Sequence, residues 1–254
     1  MAPLAHLEDW EIRNRAMTAT NLAETFAVRP PLALMRGLGP AEQRVEGTRR
    51  ALNVLVALVG IVVAAPVMAL VAALIKLTSP GPVFFQQTRV GLDRRDPAED
   101  RGNGRRQLDL GGKPFRIYKF RTMFVQKKTE QVWASKDDPR VTSVGRVLRK
   151  YRLDELPQLF NVLLGDMNIV GPRPEQPGIA ADLQKQITVY GLRHKVRPGI
   201  TGWAQINHHY DQSIEDVRRK VTLDLEYIKR QSLSEDLKIM LRTVPVVVLR
   251  KGGW

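Results

Sequence analysis

The 254-residue chain contains no cysteine. Disulfides, thiolate nucleophiles and Cys-ligated zinc or iron–sulfur sites are therefore excluded. Histidine is nearly as scarce, and four of them (His6, His194, His208 and His209) leave little for a His-rich metal site. Acidic residues are too few to balance the basic ones, Asp+Glu 26 against Lys+Arg 40, so the net charge is +14. An excess of that size points to a polyanionic partner: nucleic acid, an anionic membrane surface or phosphorylated substrates. Internal repeats and low-complexity tracts are also missing. What remains has the composition of a folded protein, 43% hydrophobic and 26% charged. It is long enough for one or two domains whose core needs no metal or disulfide.

The apolar residues are gathered unevenly. From Ala51 to Ile75 there is no charged residue, and Asn53 is the only strongly polar one. As one helix this segment reaches about 38 Å, against a hydrocarbon core of roughly 30 Å. It begins fifty residues in and is too long for a signal core, so a cleavable signal is not expected. A buried core helix is the soluble alternative. Arg49 and Arg50 precede the segment and Lys76 follows it, and the positive-inside rule would hold both flanks on the cytoplasmic side. Pro66, near the middle, removes a backbone donor and clashes with the preceding turn, so a kink is expected there. A re-entrant helix that enters and leaves through one leaflet satisfies both observations, provided the backbone at the bend finds partners.

Residues 1–50 hold seven Arg and six acidic residues and residues 51–75 no charge, so +13 of the +14 lies on residues 76–254. The organisation expected is an N-terminal extension (1–48), with a helix-compatible stretch from Trp10 to Phe26, then a re-entrant membrane helix (49–78) and a basic cytoplasmic domain (79–254). In that domain Val83 to Gln87 and Phe115 to Phe120 have β composition, separated by a loop from Leu92 to Lys113 rich in Gly, Arg and Asp. From Val141 onward most stretches have helical periodicity. The fold class is thus α+β, mainly helical, with a small β element.

Three clusters could carry chemistry. In Arg149-Lys150-Tyr151-Arg152-Leu153-Asp154-Glu155-Leu156-Pro157-Gln158, two carboxylates follow several cations, and Leu153, Leu156, Leu159 and Phe160 recur at helical spacing. A helix starting near Asp154 would lower that carboxylate's pKa through its dipole and the neighbouring Arg. An ionised carboxylate among cations suits Mg²⁺ binding or attack at phosphorus; surface ion pairs at a helix start are the plainer alternative. In Gly165-Asp166-Met167 through Gly171-Pro172-Arg173-Pro174, two prolines stiffen the backbone around one guanidinium, which suits a two-pronged phosphate contact. Arg116 to Arg121 alternates basic and apolar residues, as a strand with one anion-facing side would.

Together these blocks resemble the bacterial sugar transferases that act as monotopic polyprenyl-phosphate phosphoglycosyltransferases. The resemblance runs from about Arg49 to Leu249. It rests on the Pro66 segment, Ser79-Pro80-Gly81-Pro82-Val83-Phe84-Phe85-Gln86, Tyr118-Lys119-Phe120-Arg121-Thr122-Met123, Leu153-Asp154-Glu155-Leu156-Pro157-Gln158, Gly165-Asp166-Met167, Gly171-Pro172-Arg173-Pro174 and Val196-Arg197-Pro198-Gly199-Ile200-Thr201-Gly202-Trp203. It implies transfer of a sugar 1-phosphate from a nucleoside diphosphate sugar, UDP-linked in most of the family, to polyprenyl (undecaprenyl) phosphate, with release of UMP, as a first membrane step of polysaccharide or glycoconjugate synthesis. By the same resemblance Asp154 is the nucleophile, Glu155 supports it, and the pair holds Mg²⁺. Lys119, Arg149 and Arg197 are implied as phosphate contacts and Arg173 as a contact at the nucleotide end. Asp224 matches an acidic position without a clear role. The place implied is the cytoplasmic face of the bacterial inner membrane, with homo-oligomerisation left open. Tyr151-Arg152 departs from the small, hydroxyl-rich pair that many members carry there.

The stretch from Leu237 to Lys251 reads as an interfacial amphipathic helix, or else as a core element. A membrane-tethered nucleic-acid binder is the competing function suggested by charge and by Tyr118, Phe120 and Trp203. The basic residues, however, accompany Pro-Gly turns and paired carboxylates and do not line one groove, so nucleic acid is not the expected partner. An inactive scaffold is opposed by the intact Asp154-Glu155 pair.

Overall fold

The computed structural model describes residues 40–94, 111–125, 138–208 and 213–248. The expected helix from Trp10 to Phe26, most of the Leu92 to Lys113 loop and the last residues of the Leu237 to Lys251 stretch lie outside these. Helix α1 spans Pro40–Thr78 and so starts ahead of the Arg49 boundary expected from charge. Proline suits a first helical position, where its missing N–H has no intrahelical role. The helix is unbroken through Pro66, so any change of direction there is a bend within continuous helix.

The most apolar 18-residue window between Glu46 and Thr78 has a mean hydropathy of 2.9, yet only 17% of it is buried. A core helix of a soluble protein would be mostly buried, so that alternative does not fit. Burial occurs at the two ends, at Arg49, Asn53 and Ala57 and again at Val71, Ile75 and Ser79, each set spaced by four residues and hence on one helical face. Between residues 61 and 70 no residue is buried. Leu55, Leu58, Val59, Val62, Val63, Val67, Leu70, Leu74 and Leu77 form an exposed apolar stripe.

Both ends of α1 are tied to the rest of the protein by buried arginines. Near the start, Arg49 donates from Nε to Asp236 (3.0 Å) and from Nη2 to the Tyr227 hydroxyl (3.0 Å), which itself donates to Asp236 (2.7 Å). One turn on, Asn53 accepts from the Ile169 N–H at 2.5 Å. At the far end Arg121 donates to the Ser79 carbonyl (2.9 Å), the Ser79 hydroxyl (2.8 Å) and the Pro80 carbonyl.

The expected strands are present. β1 (Phe84–Val90) and β2 (Pro114–Phe120) pair antiparallel, with Phe85 opposite Lys119 and Thr88 opposite Arg116. The chain continues through α2 (Ser143–Lys150), a 3₁₀ turn (Leu153–Glu155) and α3 (Gln158–Leu164). Asn161 of α3 accepts from the Tyr118 N–H (2.9 Å) and donates to the Arg116 carbonyl (2.7 Å), so the open edge of β2 is satisfied by a side chain in place of a third strand. Two three-residue strands, β3 (Asn168–Val170) and β4 (Gly199–Thr201), pair in parallel. They were not expected, because three residues are too few for alternation to register. A Cβ on Gly199 would lie 2.1 Å from the Gly171 nitrogen, so glycine is required for this approach. Helices α4 (Pro177–Gln186), α5 (Trp203–Asn207), α6 (Ile214–Arg230) and α7 (Leu233–Val248), with a 3₁₀ segment at Tyr190–Lys195, complete the described fold. The main core joins Ala57 of α1 to Val162, Met167, Val170, Val221, Leu225 and Ile239. On α7, Asp236 and Ile239 are buried while Leu237, Leu241 and Val244 are exposed.

Asn53→Leu would leave the buried Ile169 N–H without its acceptor, at a cost of about 1–3 kcal/mol. Thermal unfolding in detergent should show a clearly lowered midpoint for Asn53→Leu and a near-unchanged one for Val62→Ala, whose side chain lies on the exposed stripe.

Candidate active site

The centre of the site is a single turn with an unusual entry. Helix α2 is capped by Thr142, whose side chain accepts from the Gly145 N–H, and it ends at Lys150. Arg152 then adopts φ +54°, the one non-glycine residue with positive φ among those described. That conformation costs an L-residue roughly 1–2 kcal/mol. Leu153 and Leu156 pack against the cluster of Val71, Ile75, Phe120 and Leu148. The strained entry therefore lets two half-buried leucines pack on that cluster while Glu155, beside Asp154 between them, reaches Lys119 of β2. Both carboxylates are 8% exposed.

The two acids have different partners. Glu155 Oε1 is 2.9 Å from Lys119 Nζ and 2.7 Å from Arg173 Nη2, and Oε2 is 3.9 Å from Arg152 Nη1. Burial alone would raise the Glu155 carboxyl, but Arg173, Lys119 and Arg152 together hold it well below the usual carboxylate range. The Asp154 carboxylate makes no hydrogen bond or ion pair among the described residues. Burial, and next the neighbouring Glu155 charge, push its pKa up against the pull of Lys119, Arg149 and Arg173. The sequence suggested the reverse, a carboxyl lowered by a helix start and adjacent cations. The correction has a geometric reason: Asp154 sits buried in a three-residue 3₁₀ turn before Pro157, not in the first turn of a full helix, and two of the cations that act on it, Lys119 and Arg173, are engaged by Glu155.

The cations are held from behind. Arg149 donates from Nε to the Thr122 hydroxyl at 3.0 Å, and the charges of Arg149 and Asp154 act on each other. The loop carrying Arg173 is fixed at three successive carbonyls. Arg193 donates to that of Arg173 (2.9 Å), Arg89 to that of Pro174 (3.2 Å) and the Val90 N–H to that of Glu175 (2.9 Å). Arg193 is 1% exposed and pairs with the equally buried Asp224 at 2.7 Å. Asp224 therefore belongs to a strut running from α6 through Arg193 to the backbone of Arg173. Lys220 fastens Glu175 at 2.8 Å.

Of the residues expected from sequence, the fold gathers Asp154, Glu155, Lys119, Arg149 and Arg173. Arg197 is not brought to the carboxylates. It donates to the Gly165 carbonyl (3.1 Å), pairs with Glu46 at the start of α1, and lines a cavity of about 420 Å³ with Asp166, Lys113 and Phe115. Thr122, Arg193 and Arg89 escaped the sequence reading. Thr122 lies inside the Tyr118 to Met123 segment, whereas nothing in the spacing of Arg193 or Arg89 marks them. No group of three His, Asp or Glu side chains able to hold a metal occurs among the described residues. The donors fit a Mg²⁺ that takes one or two carboxylates and completes its shell with water and phosphate oxygens. Asp154 would be the first ligand, with Glu155 reaching the ion only by loosening a cation.

A buried carboxylate among cations, beside an exposed apolar helix, suits attack on a phosphorylated amphiphile. The sequence profile of the family described as Bacterial sugar transferase matches residues 44–250. UDP-N-acetylgalactosamine-undecaprenyl-phosphate N-acetylgalactosaminephosphotransferase of Aeromonas hydrophila is 43% identical over 206 residues, 81% of this chain and 44% of that protein. UDP-glucose:undecaprenyl-phosphate glucose-1-phosphate transferase of Escherichia coli is 43% identical over 77% of this chain and 39% of its own length. The enzyme of the same name from Caulobacter vibrioides is 41% identical over 88% of this chain and 78% of its own. The chain thus spans less than half the length of the first two relatives and most of the third.

Breaking the buried strut leaves an uncompensated guanidinium. Asp224→Asn should lower stability by about 3–5 kcal/mol, read as a lowered midpoint of denaturant unfolding in detergent. Lys185→Ala, on an exposed ion pair, should change it by less than about 1 kcal/mol.

Proposed function

The chain belongs to the bacterial sugar transferase family, and on that premise we propose that it transfers a sugar 1-phosphate from a UDP-sugar to undecaprenyl phosphate at the cytoplasmic face of the inner membrane. The observation that carries this reading is the unequal carboxylate pair. Glu155 is neutralised by Lys119 and Arg173, and Asp154, at the same turn, keeps its oxygens for a substrate.

In the first step an Asp154 oxygen attacks the sugar-bearing phosphorus of the UDP-sugar. The bond from that phosphorus to the bridging oxygen breaks, and UMP leaves with that oxygen. In the second step a phosphate oxygen of the acceptor attacks the same phosphorus. The bond to Asp154 breaks, the carboxylate is regenerated, and polyprenyl diphosphate sugar is released. This is the two-step pattern of nucleophilic catalysis. Lys119, Arg149 and Arg173 stabilise charge on the equatorial oxygens, and the raised pKa of Asp154 makes it a more basic nucleophile than an exposed carboxylate. Mg²⁺, held by Asp154 with Glu155 nearby, would supply further neutralisation of the diphosphate.

The membrane reading is monotopic and re-entrant. Arg49 and Arg121 tie the two ends of α1 to one body, and between residues 61 and 70, around Pro66, no residue is buried. A helix anchored in that way supports entry and exit through one leaflet, with Leu237, Leu241 and Val244 of α7 as a second apolar strip near headgroup depth.

Incubation with a UDP-sugar and no acceptor should release UMP in a burst of one equivalent and add a phosphosugar to Asp154, detected by peptide mass spectrometry. Asp154→Asn should abolish both. Turnover without any adduct would replace the covalent route by direct transfer in a ternary complex. Because the chain has no cysteine, Gly47→Cys and Thr78→Cys can each be labelled singly. Both are expected to react only from the cytoplasmic side, and periplasmic labelling of either one rules out the re-entrant helix.

A further inference from the structure

Phe85 is 43% exposed, and none of the chemistry above uses it. Its cross-strand partner is Lys119. Side chains of directly opposed residues in an antiparallel pair lie on one face of the sheet, about 5 Å apart at Cβ. Phe85 therefore leaves the sheet beside the Lys119 side chain, whose ammonium contacts Glu155 at 2.9 Å. Along that same face of β1 the next residues are Gln87 and Arg89, and Arg89 holds the carbonyl of Pro174 beside Arg173. The face thus grades from an exposed aromatic, through Lys119, to the arginines of the Arg173 loop.

The aromatic end meets the membrane helix. Phe84 stacks on Phe120 at 5.4 Å between ring centroids, and Phe120 packs on Val71 and Ile75 of α1. The Arg121 N–H donates to the Val83 carbonyl at 2.8 Å, and the Val125 side chain lies beside Gly81. Leu77, Phe84, Phe124 and Val125 are all exposed. Phe84 and Phe85 point to opposite faces at the start of β1, so this end of the strand is apolar on both sides: Phe84 meets the α1 side, and exposed Phe85 stands next to Lys119 on the other.

We propose that Phe85 is a binding residue for the lipid acceptor, lying against its first isoprene units and directing its phosphate to Lys119 and Arg173. The proposal rests on the transfer reading above and deepens it. A phosphate monoester with one apolar chain bonded directly to it has its first carbons within a few ångströms of the charge, which is the separation set by the register of Phe85 and Lys119. A bilayer phospholipid carries its phosphate between a headgroup and a glycerol backbone, so its acyl chains begin farther away. The occupant that fits both ends of this face is the single-chain acceptor.

In phosphatidylethanolamine–phosphatidylglycerol vesicles containing undecaprenyl phosphate, Phe85→Ser should raise the KM for the acceptor about tenfold, the scale expected for losing much of one aromatic contact. The KM for UDP-sugar should move by less than about twofold, and Phe85→Leu should recover most of the loss. An unchanged acceptor KM overturns the proposal. So does a rise matched by loss of vesicle co-sedimentation, which would make Phe85 a bilayer anchor. A polyprenyl phosphate carrying a diazirine on its first isoprene unit should cross-link the unaltered protein within residues 84–87, and attachment confined elsewhere also overturns the proposal. The cross-link needs no turnover, so it decides the acceptor contact even if no UDP-sugar releases UMP, an outcome that would instead defeat the transfer reading.

Discussion

Glu155 is a buried carboxylate that exists as an anion only because Lys119 and Arg173 reach it from two different parts of the chain. Burying one unpaired charge costs several kcal/mol, and breaking such a pair costs more than forming it contributes. The contact therefore acts as a constraint on geometry more than as a source of stability. It holds the 3₁₀ turn, strand β2 and the Arg173 loop at fixed separations. It also sets the chemistry of its neighbour. With Glu155 held ionised beside it, Asp154 feels first its burial and next that negative charge, and its pKa is pushed up while its oxygens stay available.

The same constraint gives meaning to the residues behind it. Arg173 can meet Glu155 only if its loop is rigid, and that rigidity comes from Arg193, Arg89 and the β1 backbone gripping three successive carbonyls. Arg193 is in turn compensated by Asp224. Arg121 and Arg50 do the same elsewhere, binding the carbonyls of Ser79 and of Val162 and Leu163. Arg193, Arg89, Arg121 and Arg50 thus satisfy backbone oxygens inside the protein. The net +14 overstates the surface offered to a polyanion, and this weakens the case for a nucleic-acid partner that charge first raised.

Packing links the site to the membrane helix through few intermediates. Leu153 and Leu156, on either side of the two carboxylates, share a cluster with Val71 and Ile75 of α1. Lys119 and Phe120, adjacent in β2, face opposite sides of the sheet, one toward Glu155 and one toward α1. A bend or shift in the far half of α1 would reach the turn through this cluster, so the helix and the turn carrying Asp154 and Glu155 are joined by packing.

The sequence by itself determined the apolar segment and its charged flanks, the two longer strands, and the blocks containing Asp154, Glu155, Lys119, Arg149 and Arg173. Each of these is a local signal, carried by composition, alternation or residues adjacent in the chain. Tertiary structure decided what depends on distant partners. It gave the two adjacent acids opposite environments, because Lys119 lies 36 residues from Glu155 and Arg173 lies 18 away. It turned Asp224 from a bare acidic position into the counter-ion of Arg193, and it moved Arg197 away from the carboxylates to Glu46 and Gly165. It also tied both ends of α1 to one body, through Asp236 and Arg121, which no window of sequence around the helix contains. Burial and charge compensation are properties of side chains brought together in space, and a pattern read along the chain cannot assign them.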